Sequence, residues 1–280
     1  MQGKTVVITG ATSGIGEVAA QRLAQRGARI VMIARDESRA QAALARLAAT
    51  AGQTHAVHIA DLSTLSEMKR VAADITAAEP RIDVLINNAG AVFNRRIVTA
   101  DGLELTFALN HMAYFALTAG LLERLKATPA ARIVSTSSQA HMGARLDFDD
   151  LQSARKFSGF VAYGRSKLCN ILFTRELARR LTGSGVTANC LHPGFVATRF
   201  GDASGGVGQL VIGLAKRALA ISPERGAETI VHLAASPEVE GLTGEYVFEC
   251  KPAAPSPVAR SAVAAARLWS ASEAIAGGGA

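Results

Sequence analysis

The stretch Lys4-Thr-Val-Val-Ile-Thr-Gly-Ala-Thr-Ser-Gly-Ile-Gly16 decides the fold. Its first half, Lys4 to Thr9, is rich in β-branched residues and nearly free of charge, as a buried parallel strand is. It runs straight into Gly10, Gly14 and Gly16. The residues beyond, Glu17 to Gln25, carry apolar side chains at helical spacing (Val18, Ala19, Leu23), with Gly27 as a stop. Backbone amides at a helix N-terminus, left uncovered because glycine lacks a Cβ, form an anion site suited to a pyrophosphate. The spacing Gly-x3-Gly-x-Gly departs from the dinucleotide fingerprint Gly-x-Gly-x-x-Gly. An ordinary strand-to-helix turn therefore stays open at this point.

Working outward, the chain alternates. Strands are expected at Thr5 to Thr9, Arg29 to Ala34, Thr54 to Ile59, Val84 to Asn87, Arg132 to Thr136, Thr187 to Leu191 and Glu245 to Phe248. Helices are expected at Gly14 to Gln25, Ser38 to Ala51, Leu65 to Glu79, Leu103 to Leu125, Ala162 to Thr182 and Pro223 to Ala235. This order predicts an α/β fold, a doubly wound parallel sheet whose ligands bind beyond the carboxyl ends of the strands. Gly10, Arg35, Asp61, Asn88, Ser138 and Pro193 each stand just past such an end.

Length and composition fit one compact domain spanning all 280 residues. No apolar run reaches the ~18 residues of a membrane helix, and Met1 leads directly into a core strand, so neither anchor nor signal peptide is expected. Three cysteines without a Cys-x-x-Cys pair argue against a disulfide framework or a zinc site and for a reducing, cytoplasmic setting. The net charge of +7 is scattered rather than clustered with aromatics, which speaks against nucleic acid. A positive field does help to draw in a phosphorylated cofactor.

Tyr163 and Lys167 lie one helical turn apart, so their side chains share a face. A phenol titrates near ~10, and a neighbouring ammonium is expected to lower it by about 2 to 3 pKa units, into range for proton transfer at neutral pH. His111, His141 and His192 lie near these residues without metal-ligand spacing and are read as packing or surface groups. No metal is expected.

With Asn87-Asn-Ala-Gly90, Ser137-Ser138 and Tyr163-Gly-Arg-Ser-Lys167 in this order, the chain resembles a short-chain dehydrogenase/reductase from end to end. The turn matches that family's TGxxxGxG, and the other two segments its NNAG and YxxxK motifs. The resemblance implies a Rossmann-type fold, a nicotinamide cofactor, and hydride transfer to or from the carbonyl or alcohol carbon of a small molecule. It implies cofactor contacts at Gly10, Thr12, Ser13, Gly14, Ile15 and Gly16, at Asn88, Ala89 and Gly90, and at Asp61 and Leu62 beside the adenine. Under it, Ser138 bonds the substrate oxygen and Tyr163 exchanges the proton. Lys167 binds the nicotinamide ribose and depresses the tyrosine pKa, while Asn110 supports a water-mediated proton relay. Pro193, Gly194, Val196 and Thr198 match the nicotinamide clamp, and residues 195–222 a substrate lid. As an alternative, Asp61 caps a helix beginning near Ser63.

Relatives that use NAD tend to carry an acidic residue at the end of the second strand. Here Ala34 is followed by Arg35, whose guanidinium suits a 2′-phosphate, so NADP is favoured over NAD. Asp36 comes next and keeps NAD open. A narrower resemblance, carried by Ala34-Arg-Asp36, the segment from Phe148 to Arg180 and the C-terminal extension 250–280, is to the retinol dehydrogenase and WW-domain oxidoreductase-like branch, which acts on lipophilic carbonyl compounds. The rival reading is a catalytically silent NADP-binding sensor or scaffold; such relatives usually lose the tyrosine or lysine. The helices at Leu103 to Leu125 and Ala162 to Thr182 are those that family members pair in oligomers, which leaves a homo-oligomer open.

Overall fold

The computed structural model describes residues 1–48, 54–194 and 221–277. One sheet of eight strands has the order β3-β2-β1-β4-β5-β6-β7-β8. The strands are β1 (Thr5–Thr9), β2 (Arg29–Ala34), β3 (Ala56–Ile59), β4 (Val84–Asn87), β5 (Arg132–Thr136), β6 (Thr187–Leu191), β7 (Tyr246–Phe248) and β8 (Lys251–Pro252). All neighbours pair in parallel except β7 and β8. The chain runs outward from β1 through β2 to β3, then returns to β4 on the other side of β1. The crevice between β1 and β4 is therefore the switch point, where ligands of such sheets bind.

The expected parallel α/β sheet of one domain is thus present, and its β-branched strands are buried on both faces. Val7, Val31, Ile33, Leu85 and Ile133 point into one core, and Val6, Ile8, Ile30, Met32, Ile86 and Val134 into the other. Helices α3 (Leu65–Ala78), α4 (Leu105–Lys126), α5 (Gly159–Arg180) and α7 (Ala262–Gly277) close the first core. Helices α1 (Gly14–Gln25), α2 (Glu37–Ala48) and α6 (Pro223–Ala235) close the second.

Several boundaries shift for identifiable reasons. Helix α5 starts at Gly159 rather than Ala162, because the carbonyl of Phe93 occupies the space a Cβ would need there, and glycine alone admits that approach. Helix α4 contains a π-turn at Ala108–Met112, which the spacing of its apolar residues does not announce. At 22 residues and a mean hydropathy of 1.3, this helix is long and apolar enough to cross a membrane by length and composition, contrary to the sequence expectation. Yet 72% of that window is buried in the fold, which is where its apolarity is spent.

The C-terminal extension becomes β8 and α7. Helix α7 lies across α4 and α5: the Trp269 ring stacks on Phe173 at 5.9 Å and meets Phe115 edge-on at 5.1 Å, with the Arg180 guanidinium 4.4 Å from the indole centre. The Nε2 of His111 and the Ser272 hydroxyl are 2.9 Å apart, tying α7 to the π-turn. Parts of the two helices expected to serve oligomers are therefore covered by the chain itself.

Candidate active site

The turn after β1 is held by its neighbour strand. The Thr9 hydroxyl accepts the amides of both Asn88 and Ala89 at 2.9 Å. The Asn88 carboxamide donates back to the carbonyls of Thr9 and Gly10 at 3.2 and 3.3 Å and accepts the Thr136 hydroxyl at 3.3 Å. Gly10 has φ +70, and a Cβ there would stand 2.9 Å from the Cα of Ala89; at Gly16 it would meet the Gly10 carbonyl. So Asn88, expected to touch cofactor, uses its side chain to fasten the turn. Thr9, which the motif merely begins with, is the residue the sequence reading passed over.

Helix α1 starts at Gly14. Ser13 at its N-cap makes no side-chain cap bond, and the first-turn amides meet no side-chain acceptor among the described residues. Thr12 is half-buried and Ser13 exposed beside them, and Ile15 packs onto the core. An uncapped helix start after a turn this tight fits a cofactor pyrophosphate.

Past β2, Arg35 and Asp36 are both exposed and differ in employment. Asp36 accepts the Arg39 amide at 2.9 Å with its carboxylate and so opens α2. The Arg35 guanidinium has no side-chain partner among the described residues. Past β3, Asp61 accepts the Ser63 amide at 3.0 Å but does not cap α3. That helix begins at Leu65, whose amide donates to Asp101 at 2.8 Å. Leu62 is 6% exposed, and its side chain lies in the core shared with α3.

The chemical groups converge at the ends of β4 and β5. Ser138, extended at φ −159, caps the short 3-10 turn Gln139–Gly143, its hydroxyl accepting the Ala140 amide at 3.2 Å. The same hydroxyl is hydrogen-bonded to the Tyr163 phenol. Lys167 is 2% exposed; its Nζ donates to the Thr136 carbonyl at 3.1 Å and stands 5.6 Å from the centre of the Tyr163 ring. The next turn is pinned by Ser137, whose hydroxyl donates to the Lys167 carbonyl at 2.8 Å.

Asn110, carried inward on the π-turn, accepts the Ala91 amide and donates to the Ala91 carbonyl, both at 2.9 Å. It also donates to Ser166 Oγ at 3.0 Å, which in turn donates to the Tyr163 carbonyl at 2.7 Å. Its carboxamide braces the tyrosine helix against the loop after β4. Gly90 completes the junction, since a Cβ there would lie 3.1 Å from Asn110 Oδ1 and 3.3 Å from Lys167 Nζ.

After β6, His192 lies over Phe248 with ring centres 4.0 Å apart, and its Nδ1 accepts the Gly194 amide at 3.2 Å. This orders the start of the Pro193-Gly194 segment. Burial pulls the His192 imidazole down to about 4 and that of His111 likewise. Val196, Thr198 and all but the last two positions of the expected lid lie outside the described residues.

Burial also governs the acid-base pair. It pushes the Tyr163 phenol above the ordinary range, the Ser138 hydrogen bond pulling the other way, and it lowers Lys167 to about 7. An ammonium lowering the tyrosine, as expected from adjacency, is not what the fold produces, because burial disfavours the charged form of both groups.

The sign of the lysine shift sets a stability window. Its unfolded value is 10.5 and its folded value about 7, so the unfolded chain holds the extra proton between them. Stability rises with pH across that window and is lost as pH falls through about 7. The melting temperature of the wild type minus that of Lys167→Met should therefore increase between about pH 7 and pH 9.5; a difference that stays flat would contradict a lysine buried in neutral form.

The geometry agrees with comparison to known proteins. The short chain dehydrogenase family profile matches residues 4–205. Human retinol dehydrogenase 14 is 42% identical over 294 residues, covering 99% of this chain and 87% of that protein. Human retinol dehydrogenase 13 is 41% identical over 98% of this chain and 85% of its own length. A crystal structure from Mycobacterium paratuberculosis superposes with a TM-score of 0.80 at 36% identity, covering 99% of this chain and 94% of that one. The Pseudomonas aeruginosa RhlG/NADP active-site complex gives a TM-score of 0.72 at 26% identity, with 88% and 94% covered. Switch-point crevice, glycine turn and Ser-Tyr-Lys cluster thus sit within a match spanning most of the chain, which belongs to the short-chain dehydrogenase family of NAD(P)-dependent oxidoreductases acting on alcohol and carbonyl groups.

Proposed function

We propose that the chain is an NADP-dependent oxidoreductase for a small lipophilic carbonyl or alcohol compound. The observation that carries this reading is the Ser138–Tyr163 hydrogen bond beside buried Lys167, at the carboxyl edge of a sheet built to hold a nucleotide. When bound, the nicotinamide supplies or takes the hydride. The chain's part is to hold the substrate oxygen between the Ser138 and Tyr163 hydroxyls and to pass a proton through the phenol. Lys167 would hold the nicotinamide ribose, and the α1 N-terminus the pyrophosphate.

The preference for NADP is supported by the division of labour after β2: Asp36 is committed to α2, which leaves Arg35 for a 2′-phosphate. The NADP complexes among the structural relatives, from Pseudomonas aeruginosa and Burkholderia cenocepacia, support it as well. A lipophilic substrate is supported by the relatives' names and by apolar side chains flanking the catalytic residues. Met142, Phe160 and Val161 are 47%, 69% and 48% exposed there. The cytoplasmic setting we infer draws support from three free cysteines. A homo-oligomer through α4 and α5 would have to form around α7.

Replacing Tyr163 by Phe removes the proton-exchanging hydroxyl and little else. Turnover of an accepted carbonyl compound should fall by about 10² to 10⁴-fold while NADPH affinity, read by fluorescence titration, stays within a factor of about two. Unchanged turnover would refute the tyrosine assignment. Arg35→Ala should weaken NADPH by about tenfold or more and leave NADH nearly unaffected, since a charge-assisted pair to the phosphate is lost. Equal effects on the two cofactors would remove the argument for phosphate recognition.

A further inference from the structure

His141 makes two contacts that fix its chemistry. Its Nδ1 lies 2.6 Å from the carbonyl of Ser138, and its Nε2 lies 3.1 Å from the backbone nitrogen of Ser256. A carbonyl can only accept and an amide can only donate. Nε2 must therefore be the bare nitrogen, and Nδ1 must carry the proton it donates to Ser138. The backbone on either side of the ring, at Ser138 and at Ser256, which lies 115 residues beyond His141, thus dictates one neutral tautomer.

Everything around the ring holds it there. His141 is fully buried, and its own amide donates to the same Ser138 carbonyl at 3.2 Å. The ring meets Tyr246 of β7 edge-on at 5.0 Å, and Tyr246 faces His192 at 5.6 Å, ahead of the Pro193-Gly194 segment. Ser256 is 3% exposed, and its hydroxyl accepts the Ala259 amide at 3.4 Å, so the acceptor's partner is itself fixed. Pro255 and Pro257 flank it and stiffen the strap.

We propose that His141 is a positioning residue for Ser138, an imidazole bridge through which the C-terminal strap at Ser256 sets the direction of the serine hydroxyl. This inference rests on the catalytic reading of Ser138 above. Among the described residues the serine hydroxyl is hydrogen-bonded to the Ala140 amide and the Tyr163 phenol, and its aim depends on the peptide plane that follows it. That plane carries the carbonyl His141 grips. Releasing the carbonyl lets the hydroxyl drift from the place where a substrate oxygen must be met, and misplacement of about 1 Å is costly to turnover.

Two measurements on the full chain test the proposal. In protein labelled with 15N-histidine, the His141 signals should report Nδ1 protonated and Nε2 bare at pH 7.5; the opposite tautomer would overturn it, whatever the substrate. In NADPH-dependent reduction of nonanal, His141→Leu should lower kcat roughly tenfold or more, with NADPH affinity within about twofold of wild type. His141→Asn, whose amide can reach the Ser138 carbonyl, should recover most of that loss, although it cannot serve Ser256. Equal loss in Leu and Asn variants, or wild-type kcat in the Leu variant, would overturn the role. Ser256→Pro removes the strap's amide while leaving the imidazole in place and should also depress kcat several-fold; it decides the matter should the Leu variant not fold. Ser138→Ala is the control: unchanged turnover there would sink the catalytic reading itself, a failure distinct from any result at His141.

Discussion

The structure depends on the seam between the ends of β1 and β4. One threonine hydroxyl takes two backbone amides, one asparagine carboxamide returns to two backbone carbonyls, and Gly10 and Gly16 let the strands and helix approach without side chains between them. Because the backbone at a sheet edge must find partners for its amides and carbonyls, this seam satisfies the turn internally. The amides at the start of α1 are left for something else. The geometry of the cofactor turn is thus a consequence of hydrogen bonds to residues some eighty positions away, and not of the glycines alone.

Burial shapes the rest of the site. Tyr163 and Lys167 sit in a region dry enough to disfavour either charge, so the proton affinities of the pair are displaced in opposite directions, the phenol upward and the ammonium downward. Displaced values of this kind are common where proton transfer is the task. The apolar walls come from α4 and α5, and α7 closes over those helices with the only tryptophan of the chain. Its attachment through His111 reaches the same π-turn that carries Asn110, so the C-terminal extension touches the site's framework at the π-turn and again at Ser256.

Much of this is legible in the amino-acid sequence, and the reasons are particular. Strands such as Thr5 to Thr9 declare themselves because both faces are buried and every position is apolar or β-branched. Ser138, Tyr163 and Lys167 can be picked out because their chemistry tolerates few other residue types and one helical turn brings the last two together. Helix α7 is not legible, because alanines line all its sides and blur any apolar stripe. The alternative reading of Asp61 as the cap of α3 does not hold, because Asp101, distant in sequence, takes the Leu65 amide instead. The direction of the tyrosine and lysine shifts depends on how much water reaches them, which spacing does not encode, and the bridge at His141 depends on a strap more than a hundred residues downstream.

The central claim is that this edge brings a nicotinamide and a carbonyl carbon together for direct hydride transfer. It is tested most directly by incubating the protein with NADPH carrying deuterium at nicotinamide C4, using each of the two stereoisomers, and a lipophilic aldehyde. Mass spectrometry then reads the alcohol formed. The account predicts deuterium on the former carbonyl carbon with one stereoisomer and not the other. Alcohol free of deuterium with both, or no alcohol from any aldehyde or ketone offered while NADPH binds, would contradict it.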